Sequence, residues 1–289
     1  MTQHPRRRRR RRHPLRLLLL LPPVLALALF MNWSNLTLQV DSFIYSSQRL
    51  PAGFDGCTIV QLTDLHGAEY GEENADLIAA VRDAKPEYIF LTGDLQDRFR
   101  ETPAEYTLAL CKELSAIAPT YYVTGNHEWA LGSIRSLKSA IRETGVTVLT
   151  NEFLTLERNG DSIILAGIDD PNGFADQKTP EELASEVKDA WGDGFWMLLA
   201  HRNNHFLKQY CKLGADLILS GHGHGGMIRL PFTDGLIGTD RDLFPSYTSG
   251  FYEENGTTLF VSRGAGNSGR SFRIFNRPQV AVLTLKSEP

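Results

Sequence analysis

The sequence predicts an α/β fold, and three observations carry that expectation. Short apolar runs alternate with amphipathic stretches from Asp41 onward, Gly or Pro marks the joints, and no internal repeat or linker interrupts the pattern. Strands that alternate with helices imply layered sheets whose faces are largely covered. Residues 41–289 are therefore read as one catalytic domain and 1–40 as an extension.

Thr58 to Leu62 reads as a buried strand, Glu73 to Ala84 as a helix, Tyr88 to Leu91 as a strand and Pro103 to Ile117 as a helix. Tyr121 to Val123 is the next strand and Ser133 to Glu143 the next helix. Val146 to Leu149, Leu154 to Leu156 and Ile163 to Ile168 follow as strands. Thr179-Pro180-Glu181-Glu182 opens another helix, with Thr as N-cap, Pro in the first turn and acids at the positive end of the dipole. Phe195 to Leu199, Leu217 to Leu219, Thr258 to Val261 and Val280 to Leu285 make the second half rich in strands.

Charge divides the chain unevenly. Arg6 to Arg12 and Arg16 place eight positive charges before the first acid, whereas 22 basic side chains face 34 acidic ones from Asp41 onward. An acidic body lacks the basic face that displaces counterions from nucleic acid, so no nucleic-acid partner is expected. The arginine run leads into the apolar stretch Leu17 to Met31, interrupted by Pro22 and Pro23 and followed by Trp33. That order is the layout of a hydrophobic signal anchor or signal peptide. The expectation is a retained membrane anchor with the body outside the cytoplasm, since basic residues beside a span stay inside; export with cleavage near Ala26-Leu27-Ala28 is the alternative. Cys57, Cys111 and Cys211 are too few and scattered for a disulfide framework and read as packing residues.

Five short segments carry the chemistry, each just past the carboxyl end of an apolar strand, where open α/β sheets place their ligands. They are Asp64-Leu65-His66, Gly93-Asp94, Gly125-Asn126-His127-Glu128, Ala200-His201 and Gly221-His222-Gly223-His224-Gly225. Five of the eight histidines fall in them. If these segments are extended, residues i and i+2 point the same way, and Asp64 with His66, like His222 with His224, presents a ligand pair to one cavity. Mixed carboxylate and imidazole donors suit Mn, Fe or Zn rather than Ca.

At these residues the chain resembles the calcineurin-like metallophosphoesterases, whose pattern is D-x-H, G-D, G-N-H-[DE], H and G-H-x-H in this order. Phe54-Asp55-Gly56, Arg229-Leu230-Pro231 and Val261-Ser262-Arg263-Gly264 make it most similar to the membrane-associated bacterial branch of YkuE and YaeI type. The resemblance implies a four-layer αββα sandwich of two mixed β-sheets flanked by helices. It also implies two divalent metal ions, with Mn first and Fe or Zn as alternatives. Asp64, His66 and His224 would hold one ion, Asn126, His201 and His222 the other, and Asp94 would bridge them. A water activated by the pair would attack phosphorus. His127 would bind no metal and would give a hydrogen bond or proton to phosphoryl and leaving-group oxygens. Glu128 either orients His127 or is a solvated acid.

Two departures from the relatives touch the substrate rim: Met227 replaces a common Gln, and Arg202-Asn203-Asn204 replaces Arg-Pro-acid. Arg202, Arg263 and Arg273 are candidates for contact with substrate phosphate. The expected activity is hydrolysis of phosphodiester or pyrophosphate bonds in a lipid-linked or cell-envelope substrate. A broad phosphomonoesterase or nucleotide pyrophosphatase is the second reading, and an inactive metal-stabilised scaffold the third.

Overall fold

A computed structural model describes residues 21–100, 103–230, 233–239 and 241–289. The arginine run and the first apolar residues, Leu17 to Leu20, lie outside them. Description begins in helix α1 (Leu21–Leu36), whose leucines and valine face outward along the whole helix. With 16 residues, α1 leaves no helix among the described residues that is long and apolar enough to cross a membrane.

The domain then runs through β1 (Gln39–Ser47), β2 (Thr58–Leu62), α2 (Ala75–Asp83), β3 (Tyr88–Thr92), α3 (Ala104–Ile117), β4 (Thr120–Val123), a short α4 (Asn126–Ala130), α5 (Ile134–Glu143) and β5 (Thr147–Val148). It continues through β6 (Glu152–Arg158), β7 (Asp161–Gly167), α6 (Pro180–Trp191), β8 (Trp196–Arg202), β9 (Leu217–Gly221), a ribbon of β10 (Ile228–Arg229) and β11 (Gly235–Ile237), β12 (Gly250–Glu254), β13 (Thr257–Val261) and β14 (Gln279–Ser287). Two mixed six-stranded sheets result, in the orders β1-β14-β2-β3-β4-β5 and β12-β13-β9-β8-β7-β6.

Strand alternation explains why both sheets are covered on both faces. Ile59 and Phe90 point between the sheets with Met197, Leu199, Leu217 and Leu219, whereas Val60, Leu62, Ile89 and Leu91 point outward beneath α2, α3 and α5. Trp196, Leu198 and Ile218 face the other way, beneath Leu183 and Val187 of α6. A period of two therefore feeds three apolar layers, and the order helix, sheet, sheet, helix follows. Cys57, Cys111 and Cys211 are buried free thiols, and burial pushes Cys57 and Cys111 up to about 12.

Three differences from the sequence reading have local causes. β1 was not expected because its side chains alternate between half-buried and exposed. It exists because its backbone pairs in parallel with β14 from Gln39↔Gln279 to Ser47↔Ser287. The helix expected from Glu73 starts at Ala75, because Glu73 and Asn74 adopt left-handed φ of 52° and 63°. Gly125-Asn126-His127-Glu128, to which the sequence reading assigns no helix, opens α4, with Glu128 accepting from the Gly125 N–H.

Candidate metal centre

The five segments converge at the carboxyl ends of β2, β3, β4, β8 and β9, where the two sheets abut. Gln61 ties them there, donating to Thr92 Oγ1 at 2.8 Å and to the Ser220 carbonyl at 3.1 Å. His201 lies within β8, but the segments of Asp64, Asp94 and His222 are not extended. Asp64, His66, Asp94, His222 and His224 have φ of 51°, 50°, 54°, 67° and 46°. Such conformations cost a non-glycine residue on the order of 1–3 kcal/mol each and persist only where the surroundings over-determine them. The pairing of i with i+2 expected from a pleated strand is thus replaced by left-handed turns. Asp64 and His66 still meet in one donor group, whereas His222 and His224 go to different neighbours.

Among the described residues, Asp64, His66 and His224 form one donor group, and Asp94, His201 and His222 form another. In the first, His224 Nε2 lies 3.4 Å from Asp64 Oδ1 and 3.0 Å from His66 Nε2. In the second, His201 Nε2 lies 3.2 Å from Asp94 Oδ2, and the same oxygen is 3.8 Å from His66 Nε2. Asp94 therefore stands between the groups, the place of a shared ligand. Its other oxygen accepts the His127 backbone N–H at 2.8 Å. Gly125 is required by close approach, since a Cβ there would stand on the Asp94 carboxylate.

The residues present fit metal ions. Asn126 Oδ1 and His201 Nε2 are buried with no hydrogen-bond partner among the described residues, a costly state that a cation relieves. His201 Nδ1 donates to the Thr92 carbonyl at 2.8 Å, which leaves the Nε2 lone pair for a metal. Burial holds His66, His222 and His224 below the ordinary imidazole range, so their rings are neutral and ligand-ready at neutral pH. His201 moves oppositely, to about 10, because the attraction of Asp94 outweighs its burial. A field that favours a proton on that nitrogen equally favours a dication.

Around the ligands the fold adds parts that the sequence reading missed or misplaced. Glu128 does not orient His127 and is not solvated. Fully buried, its carboxylate accepts from the backbone N–H groups of Asp94, Leu95, Gln96 and Gly125, at 2.6 to 3.2 Å, and so shapes the loop that carries Asp94. Burial and the Asp94 charge push its carboxyl up to about 7, and the amide donors pull it back. The group that holds His127 is Asp97. His127 Nδ1 lies 3.0 Å from Asp97 Oδ1 and 3.1 Å from the Arg98 amide, while Nε2 faces the cleft 3.5 Å from Ser268 Oγ. The available signal was an acid and an arginine in the loop after Asp94, Asp97-Arg98.

None of the three arginines picked from the sequence lines the cleft over these groups. Arg202 is clamped by Asp170 at 2.7 and 3.1 Å, and Arg263 pairs with Asp41 at 2.6 Å. Arg273 is fully buried, donating to the Gly266 carbonyl at 2.7 Å with its Nη2 3.3 Å from His224 Nδ1. It thus supports a ligand from behind. The cleft, of ≈ 700 Å³, is lined instead by Arg98, Arg241 and Arg270 together with Phe99, Met227, Ile228, Ile237 and Phe272. Met227, one of the two departures noted above, falls on this wall. At the other, Asn203 is buried and donates to the Tyr247 carbonyl at 2.7 Å.

Two sheets packed face to face, with buried Asp/His groups at their carboxyl ends on either side of one carboxylate, define a metallohydrolase of dimetal type. The chain belongs to the calcineurin-like phosphoesterases, the family whose model matches residues 57–226. It is 32% identical over 249 residues to the uncharacterized metallophosphoesterase YkuE of Bacillus subtilis, covering 83% of each chain. It is 30% identical to YkoQ of the same organism, covering 77% of this chain and 81% of that one. A Bos taurus transmembrane protein with metallophosphoesterase domain is 28% identical, with 83% of this chain matching 55% of that one. In fold it is similar to the Thermus thermophilus sulfate thiohydrolase SoxB, at a TM-score of 0.51 and 14% identity over 82% of this chain and 57% of that one. The chain is a metal-dependent phosphoester hydrolase, and its clustered Asp and His side chains fit a dimetal site.

Proposed function

We infer that this hydrolase cleaves phosphodiester or pyrophosphate bonds of a lipid-linked or envelope substrate, from a membrane-anchored position outside the cytoplasm. The observation that supports it most is the cleft. It extends from Asp94, Asn126, His222 and His224 past His127 to the apolar wall of Met227, Ile228, Ile237 and Phe272, leaving room for substituents on both sides of phosphorus. A broad phosphomonoesterase is the second reading, since dications accept either ester.

Asp64, His66 and His224 would hold one ion, Asn126, His201 and His222 the other, and Asp94 both; manganese fits these donors, as do iron and zinc. Bound ions would polarise the phosphoryl group and lower the pKa of the attacking water. The chain's own residues do the rest. Asp97 fixes the ring of His127, and His127 Nε2, open to the cleft, can give a proton or hydrogen bond to the departing oxygen. Arg98, Arg241 and Arg270 supply positive charge to the non-reacting phosphoryl oxygens.

The acidic body repels a dianionic monoester more than a monoanionic diester, while the ions attract both. A moderate preference is therefore expected: kcat/KM for bis-p-nitrophenyl phosphate exceeds that for p-nitrophenyl phosphate at one metal and pH. A monoester preference that persists at high salt, where the long-range field is screened, selects the second reading.

The anchored location is supported by the eight arginines before the apolar stretch, by the outward-facing apolar side chains of α1, and by a relative whose name includes a transmembrane protein. Full-length protein should resist carbonate extraction, and protease added outside intact spheroplasts should digest the domain. Digestion only after lysis would place the site in the cytoplasm and remove outer-face lipids from its reach.

A further inference from the structure

We propose that the rim of the cleft docks on an anionic lipid surface, so that the metal groups open toward membrane-borne phosphoesters. The proposal rests on the phosphoesterase reading of the same site and adds the surface by which substrate is presented.

Helix α1 exposes Leu21, Val24, Leu25, Leu27, Leu29 and Leu36 and so has no polar face to turn to water. Its base is not a loose tether. Asn35 Oδ1 accepts the Arg273 N–H at 2.6 Å, Asn35 Nδ2 donates to the Arg273 carbonyl at 3.0 Å, and the Phe30 ring lies 4.8 Å from that of Phe275. Arg273 in turn donates to Gly266 beside the ligand His224. Whatever apolar phase receives α1 is therefore held against the segment that walls the cleft.

That wall is itself apolar on its outside. Ile228 of β10 bridges Ile274, and Ile237 of β11 bridges Leu243, so one small ribbon joins the segment at α1's base to the loop beyond β11. Its edges display Phe272, Phe275, Leu243 and Phe244, and the last two are 71% and 74% exposed, among the most exposed large apolar side chains described. Phe99, beside Gly269, adds another at the cleft. Apolar side chains grouped round an opening mark a surface that meets another phase or partner.

Charge selects an anionic lipid as the occupant. Basic side chains are outnumbered 22 to 34 from Asp41 onward, yet Arg98, Arg241 and Arg270 all line this opening, and Arg277 stacks on Trp33 at 5.3 Å where α1 meets the domain. Aromatic side chains interleaved with arginine suit the headgroup layer, where apolar bodies enter and guanidiniums meet phosphate.

The test uses full-length protein with single cysteines carrying an environment-sensitive fluorophore at Leu243→Cys or Phe272→Cys. Asn159→Cys, exposed in the turn between β6 and β7 at the opposite end of the strands, is the control. Cys57, Cys111 and Cys211 are buried and spared by labelling of the folded protein. In vesicles of equal phosphatidylglycerol and phosphatidylcholine, the probes at 243 and 272 should blue-shift and be quenched by nitroxide-labelled lipid, with a smaller shift in phosphatidylcholine alone. The probe at 159 should stay water-like. Water-like emission at 243 and 272 in protein that floats with the vesicles overturns the docking, and so does a lipid-independent shift that grows with protein concentration, which assigns the face to a second copy. Hydrolysis of bis-p-nitrophenyl phosphate by unlabelled wild-type protein on the same vesicles reports the phosphoesterase reading separately: docking without turnover sinks that reading, and turnover without docking sinks only this one.

Discussion

Replacing Asp94 with Asn, or His222 with Ala, is expected to abolish hydrolysis and to lower bound metal. Among the described residues, Asp94 Oδ2 is the one carboxylate oxygen within 4 Å of a histidine from each donor group, His66 and His201. Asn keeps the Oδ1 that accepts the His127 N–H, so the variant removes the shared charge while leaving the backbone contact in place. Outer partners of metal ligands alone are worth about 10–100-fold in affinity or activity, so a shared ligand should cost more than that. Elemental analysis and turnover after chelation and reconstitution with Mn, Fe or Zn check both parts, with circular dichroism confirming the fold. Full activity in metal-free protein would end the two-metal account.

His127→Ala should behave differently, cutting kcat by about 10²–10⁴, the range for a lost proton or hydrogen-bond transfer, while metal content stays near wild type. The distinction is needed because His127 also lies within ligand distance of His66 and Asp94. Its Nδ1 accepts the Arg98 amide N–H beside the Asp97 carboxylate, and Nε2 looks into the cleft, which favours chemistry over ligation. Asp97→Asn, which keeps the ring in place but removes the carboxylate, should lower kcat less and leave metal bound. Loss of an ion from His127→Ala would make that residue a ligand.

The sequence by itself determined ten of the fourteen strands and the donor set, because both are local. A strand buried on two faces is a run of apolar residues, and its carboxyl end is the next few residues, so Asp64, Asp94, Asn126, His201 and His222 could be placed without knowing which strands pair. The same logic missed β10, β11 and β12, and it missed β1, whose run Phe43-Ile44-Tyr45 is flanked by polar residues and whose pairing depends on β14, more than two hundred residues away.

Only the tertiary structure decided the backbone geometry that carries the donors, whose division the family resemblance already implied, and what the remaining charges do. His222 and His224 are two residues apart and fall in separate groups, whereas Asp64 and His66 share one; all four have left-handed φ, and nothing in an Asp or His announces a positive φ. Arg202, Arg263 and Arg273 looked free for phosphate until Asp170, Asp41 and Gly266 occupied them, whereas Arg98, Arg241 and Arg270 reached the cleft instead. Glu128 became a buried clamp on the Asp94 loop, and Asp97 took the role of holding His127. The physical reason is common to all of them. A ligand type is a property of one side chain, but its partner, burial and direction are set by segments brought together only when two sheets pack.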